Sequence, residues 1–295
     1  MNPSANKTLR LTFPQWQGGE IHNIAALVPE LPPEDAAQGY YWGSQLLEWL
    51  APAGDCSQAA VPVCLSLDEE DIRTENGIQA YAVLKRQLQA ALAIIEVYQP
   101  ERIVTLGGEC SVSVPPFAYL AGKYRDDVAV VWLDAHRDLT VPTDSYNGYH
   151  AMALAKLLGT GDQAIIDMLP ATVKPQDALI VGLRSVDEAV QRQIDLGVQS
   201  LVPAEVAADS RAVLDWLKQT GKSKVMVHLD LDVLDPAEFR IAVGKDPDGI
   251  RVADVVRIIR DIAGAADLVG LTIAEPMPQA VIKLKNLLAE LPLLK

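Results

Sequence analysis

Short, nearly continuous apolar runs alternate with longer amphipathic ones along the chain. The short runs cover residues 9–13, 61–67, 102–106, 128–133, 178–182, 225–229 and 268–273, and are rich in Val, Ile and Leu. Strands of a parallel sheet covered on both faces carry this pattern. Residues 77–98, 152–158, 186–196, 211–218, 252–263 and 279–288 space their apolar positions as helices do, and the first of these stops at Pro100. Strand–helix alternation predicts a three-layer α/β/α fold around a central parallel, doubly wound sheet. Residues 29–34, 51–58 and 239–249 read as surface loops. No repeat or composition shift marks a boundary, so a single domain spanning 1–295 is expected.

Composition narrows the class of partner. With 25 basic against 39 acidic residues the net charge is −14. Such a surface repels phosphate backbones and anionic bilayers, which argues against nucleic acid and membranes as partners. It attracts cationic small molecules through a weak general field. The N-terminal residues lack the basic and apolar stretches of a signal peptide, and no apolar run is long enough to span a bilayer. Three cysteines, Cys56, Cys64 and Cys110, do not make a disulfide framework. A cytoplasmic location is the expectation.

Polar groups gather where the predicted strands end. One strand runs into Gly107-Gly108-Glu109-Cys110-Ser111, another into Asp134-Ala135-His136-Arg137-Asp138, a third into Asp230-Leu231-Asp232, and the last into Ala274-Glu275. In open α/β sheets, ligands bind at this edge. Residues two apart in extended backbone point the same way, which groups Asp134, His136 and Asp138 together, and Asp230 with Asp232. Four carboxylates in one low-dielectric spot need cations. Carboxylate plus imidazole suits Mn, Zn, Fe or Ni, and so many oxygens suit a pair of ions. A lone D-x-D at a strand end is more often a turn or cap than a site, whereas D-A-H-x-D straight after an apolar strand is far rarer by chance. Arg137 is expected on a solvated side, Asp235-Pro236 in a turn, His22 in a loop, and His228, two residues before Asp230, pointing to the same pocket as a group that supports the ligands.

These motifs, together with Tyr149-His150-Ala151-Met152 and Gly182-Leu183-Arg184, resemble those of the ureohydrolase family (arginases, agmatinases and formiminoglutamases), in order and spacing over about residues 100–290. The resemblance implies an eight-stranded parallel sheet and a binuclear manganese site that holds a nucleophilic hydroxide. Asp134 and Asp230 would bridge the ions, His136 and Asp232 would complete one shell, and Asp138 would bind the other ion and act in catalysis by holding the proton of the bridging hydroxide. His150 would pass protons to the leaving amine, and Glu275 would pair with a substrate guanidinium. Asp187 falls where arginases place an acid that contacts the substrate amino group, and it reads equally as a helix N-terminal acid. Trimers or hexamers are implied as well.

Two departures stand out. Cys110 replaces a metal-binding histidine of the family motif, and it reads equally as a buried thiol that binds no metal. Its softer thiol predicts a weak or empty manganese site there and leaves room for zinc, nickel or iron. The Cys110-Ser111-Val112-Ser113 run also resembles a branch that hydrolyses N-hydroxyarginine. The loop 140–148 is reshaped, so L-arginine is not the assured substrate, and Lys245 lies exposed in a second substrate loop. The chain therefore reads as a hydrolase of guanidino or amidino C–N bonds. The alternatives are an N-hydroxyarginine-type hydrolase and a non-enzymatic arginase-like scaffold.

Overall fold

The computed structural model describes residues 7–19, 21–29 and 31–294. Its strands are β1 (Thr8–Phe13), β2 (Ser57–Ala60), β3 (Arg102–Gly107), β4 (Val128–Leu133), β5 (Ala178–Val181), β6 (Gln199–Leu201), β7 (Lys224–Asp230) and β8 (Asp267–Ala274). They form one eight-stranded sheet in the order 2-1-3-8-7-4-5-6, and each of these neighbouring pairs is parallel.

Alternation along the central strands builds two cores. Val104 and Leu106, Val131 and Leu133, and Val225, Val227 and Leu229 face one layer, with helices Arg211–Thr220, Val252–Ala265 and Val281–Glu290. Ile103, Val130, Trp132 and Met226 face the other, against helix Val114–Tyr124. Burial on both faces is why these runs are apolar without a polar alternate. The expected three-layer parallel fold is present.

Some local expectations differ. The second strand is Ser57–Ala60, not residues 61–67, so part of the expected loop 51–58 pairs with β1 at the sheet edge. Strand β6 was not expected. Helices Ile21–Leu27, Pro33–Ala37 and Gly39–Leu50 fill the N-terminal third, so His22 lies on a helix, exposed, rather than in a loop. Arg137 is buried, not solvated: its Nε donates to Gln193 Oε1 at 2.8 Å and its Nη1 to the Ser185 carbonyl at 2.8 Å. Asp235 does form a turn, accepting from Ala237 N at 2.9 Å.

What matters for chemistry is the sheet order. The motif-bearing strands β3, β8, β7 and β4 are consecutive neighbours at the centre of the sheet. Their carboxyl ends therefore open onto one spot.

Candidate metal and substrate site

Three strands end in the same local device. Glu109 Oε2 accepts from Ser111 N at 2.7 Å, Asp134 Oδ1 from His136 N at 2.6 Å, and Asp230 Oδ1 from Asp232 N at 2.7 Å. A carboxylate that bonds the amide two residues on mimics a turn and stops the strand. The convergence of Asp134, His136 and Asp138 thus comes from turning chain and not from extended backbone, since β4 ends at Leu133. Asp138 and Glu275 sit at φ +52° and +60°. Left-handed backbone is uncommon for a side-chain-bearing residue, especially Glu, and marks positions held by their surroundings.

A cavity of about 400 Å³ lies over these strand ends, and Cys110, His136, Asp138, His150, Asp187, Asp230, Asp232 and Glu275 line it. Asp134 lies beneath, fully buried, its Oδ2 accepting from Trp132 Nε1 at 2.9 Å. All the expected site residues are therefore brought together. Potential ligand atoms of Asp134, His136 and Asp232 lie within 4.8 Å of one another, as do those of Asp230, Asp232 and Glu275, and those of Cys110, Asp134, Asp138 and His228.

The charges are unbalanced. Burial, and then the neighbouring carboxylate of Asp232, pushes the Asp134 carboxyl up to about 6. Burial followed by neighbouring carboxylates raises Asp138 and Asp230 well above the ordinary range. Burial raises the Cys110 thiol too, and Asp138 and Asp230 add to it; its Sγ donates to Asp230 Oδ2 at 2.8 Å. His136 is the counterweight. Burial opposes its charge, but Asp232 (Nδ1 to Oδ2 3.0 Å), Asp134 and Asp246 (Nε2 to Oδ2 3.4 Å) prevail and raise it. His136 first, and then the Ala135 amide and Arg184, overcome burial at Asp232 and hold it low. Burial holds the His228 ring down to about 3, so it is neutral.

Buried, mutually repelling carboxyls and an Asp138 Oδ2 with no partner among the described residues are what a divalent cation relieves, so the residues present fit a metal centre. A consequence can be measured. A carboxyl whose value is higher folded than unfolded stabilises the fold below its ordinary 3.8, and that contribution disappears as pH rises through about 6. Lowered groups such as Asp232 act oppositely, losing their contribution only in strong acid. Metal-free protein is therefore expected to lose stability between about pH 4 and 7, by about 3 kcal/mol from Asp134 alone. Saturating divalent metal should abolish the slope. Thermal midpoints in chelator and in metal across this range check it; a flat or rising profile in chelator refutes it.

Sequence reasoning missed several participants. Tyr40 donates to Glu275 Oε2 from helix Gly39–Leu50. Gly43, one turn on, lets that helix approach: a Cβ there would lie 1.6 Å from the Pro276 carbonyl. Tyr146 Oη lies 2.7 Å from His150 Nε2, while His150 Nδ1 lies 2.9 Å from Glu275 Oε1. Asp246 comes from the 239–249 loop. Asp187 has a structural duty as well as lining the cavity: Oδ1 accepts from Ala189 N at 2.8 Å, and Oδ2 lies 3.4 Å from Arg137 Nη1. Lys245 does not line the cavity. It is tied down, Nζ donating to the Leu27 carbonyl at 2.7 Å.

Arg184, in the Gly182-Leu183-Arg184 motif, donates Nη2 to the carbonyls of Asp232 (2.7 Å) and Asp246 (2.9 Å) and Nε to that of Pro247 (3.0 Å). It ties together the backbone of Asp232 and Asp246, the two acids that flank His136. A lysine keeps the charge and loses the fork. Arg184→Lys should weaken metal binding about 10–100-fold, read by competition with a metal indicator. Unchanged affinity would remove Arg184 from the site.

A model of the arginase family matches residues 45–289. An arginase of Entamoeba histolytica is 30% identical over 185 residues, 60% of this chain and 62% of that protein. An N(omega)-hydroxy-L-arginine amidinohydrolase of Streptomyces lavendulae is 32% identical over 178 residues, 58% of this chain and 59% of that protein. The chain spans about half to three-fifths of the length of the curated relatives it matches. The crystal structure of the E. histolytica arginase superposes with a TM-score of 0.74 at 19% identity, covering 96% of both chains, a likeness of fold. A parallel α/β fold with an acidic, metal-ready pocket at its central strand ends defines the class. The chain belongs to the arginase family.

Proposed function

We propose that this chain is a metal-dependent hydrolase that cleaves a guanidino or amidino C–N bond and releases urea or a related product. The observation that carries the reading is the surplus of buried carboxylate around one cavity: Asp134, Asp138, Asp230, Asp232 and Glu275 against His136 and His150. That charge suits divalent ions below and a cationic substrate above. Asp134, His136, Asp230 and Asp232 would hold one ion, and Cys110, Asp134, Asp138 and Asp230 the other. Manganese suits the oxygen-rich side, while zinc, nickel or iron suits the side of Cys110. The ions supply Lewis acidity and lower the pKa of a bound water.

The chain's own residues do the rest. Glu275, held by Tyr40 and His150, pairs with the planar guanidinium. His150, linked to Glu275 on one ring nitrogen and to Tyr146 on the other, carries a proton to the departing amine. Asp187 contacts the far end of the substrate from the cavity wall. The single continuous sheet supports one working unit over 1–295. By analogy the unit assembles as a homo-oligomer, a trimer or hexamer, and works in the cytoplasm without nucleic acid; among the described residues no helix is long and apolar enough to cross a membrane.

The S. lavendulae relative's name and the Cys110-Ser111-Val112-Ser113 run support N-hydroxyguanidines as a second substrate class. A scaffold role fits poorly with so many buried acids, which destabilise an unoccupied site. The deciding experiment is a panel of guanidino, amidino and N-hydroxyguanidino compounds offered with Mn, Ni, Zn or Fe. Release of urea, hydroxyurea or ammonia is expected from at least one. Metal-loaded protein inert toward the whole panel would overturn the reading.

A further inference from the structure

We propose that His228 is itself a metal ligand, so that the ion nearest Cys110 is held by a thiolate, an imidazole and two carboxylates from Cys110, His228, Asp134 and Asp138. The inference rests on the reading of this site as a metal centre and puts His228 in the place that reading gave Asp230 at this ion, leaving Asp230 to the ion held by His136 and Asp232. In β7 the run Val225-Met226-Val227-His228-Leu229-Asp230 is apolar except for His228 and the terminal Asp230, which alternation places on one side of the strand. His228 is fully buried. Its register partner on β4 is Trp132, whose ring stacks on it with centroids 3.7 Å apart and planes 10° off parallel. Trp132 in turn donates to Asp134. The imidazole is thus locked in one orientation against the acid it would share an ion with.

Its two nitrogens have unlike surroundings. Nδ1 lies 2.7 Å from Ser113 Oγ, whereas Nε2 is buried with no partner among the described residues. A buried polar atom left unpaired is costly, and native structures keep few of them. A second such atom, Asp138 Oδ2, belongs to the same cluster. Four potential donors, one each from Cys110, Asp134, Asp138 and His228, lie within 4.8 Å of one another. Ligands around a shared ion, at bond lengths of about 2.0–2.3 Å, lie at most about 4.6 Å apart, so small adjustments bring these four around one centre. With Nδ1–H donated to Ser113, the Nε2 lone pair is free for the ion. Metal-bound histidines are oriented this way, by a hydrogen bond from the other ring nitrogen. A set of one sulfur, one nitrogen and two carboxylate oxygens favours zinc, and cobalt in its place, over manganese.

The test uses the full chain, stripped of metal and refilled with Zn²⁺ or Co²⁺. Wild type is expected to take up two equivalents and to show the cobalt–thiolate charge-transfer band, which only Cys110 can give among the expected ligands. His228→Phe keeps a ring to stack on Trp132 but offers no donor. It should lose one zinc equivalent and the band while retaining the equivalent held by His136 and Asp232. Ser113→Ala leaves the imidazole in place and removes its orienting partner; it should weaken the same ion about 10–100-fold, and it decides the matter should His228→Phe fail to fold. An undiminished band and unchanged zinc affinity in a folded His228→Phe or in Ser113→Ala would overturn the inference and leave the metal centre standing. Wild type that binds one equivalent with no thiolate band does the same. Wild type that binds no metal at all would overturn both.

Discussion

Asp230→Asn is expected to strip the protein of at least one divalent ion and to lower turnover of a guanidino substrate by at least about 10²–10³-fold, the two losses appearing together. Asparagine is nearly isosteric and keeps the oxygen that accepts from Asp232 N at 2.7 Å, so the turn closing β7 survives. What disappears is the charge at the oxygen 2.8 Å from Cys110 Sγ, in the middle of the acidic cluster. A second consequence separates this outcome from simple misfolding. Burial and then the carboxylates of Asp232, Asp134 and Glu275 raise Asp230, so removing its charge relieves repulsion in the empty site. The variant in chelator should melt at or above the wild type at neutral pH, and divalent metal should stabilise it far less than it does wild type. Metal analysis and thermal melts read both. Wild-type metal content in Asp230→Asn would remove Asp230 from the centre.

How much of this was visible beforehand depended on which interactions were local. Strands β3, β4, β7 and β8 were legible because burial on both faces makes them continuously apolar, and their terminal acids were legible because a two-residue turn writes itself as D-x-H or D-x-D. Strands β2 and β6 lie at the two sheet edges. Ser57, Gln58, Gln199 and Ser200 face too little apolar surface to leave a pattern, and in β2 the apolar stretch that drew attention begins only after the strand ends. Tyr40 was invisible for a different reason. Its partner Glu275 lies 235 residues away, and no spacing rule links helix Gly39–Leu50 to the end of β8. Arg137 sits between Asp134 and Asp138 in a polar motif that suggests solvent, yet the following chain folds over it and supplies the Ser185 carbonyl and the Gln193 side chain. Tyr146 had a signal, its four-residue offset from His150, that became meaningful only with the loop in place.

His150→Ala separates proton transfer from metal binding. His150 reaches the cavity from the short 3-10 turn His150–Met152. Both ring nitrogens are engaged, Nδ1 with Glu275 Oε1 at 2.9 Å and Nε2 with Tyr146 Oη at 2.7 Å. Burial opposes charge on the ring, yet Tyr146 and Glu275 outweigh it and raise its pKa well above the ordinary value. An imidazole biased toward its protonated form and 2.9 Å from the carboxylate that would seat a guanidinium is placed to give a proton to the leaving amine. Loss of such a group lowers turnover by about 10²–10⁴-fold. The ions should remain at wild-type stoichiometry, because Asp134, His136, Asp138, Asp230 and Asp232 are untouched. Tyr146→Phe keeps the ring and removes the hydroxyl on the far side of His150, so it should lower turnover less than His150→Ala. Glu275→Gln, which removes the negative charge offered to the substrate, should raise KM as well as lower kcat. Added imidazole is expected to restore part of the activity of His150→Ala and none of that of Glu275→Gln. Metal lost along with turnover in His150→Ala would make His150 a ligand, and turnover within a few-fold of wild type would end its assignment to proton transfer.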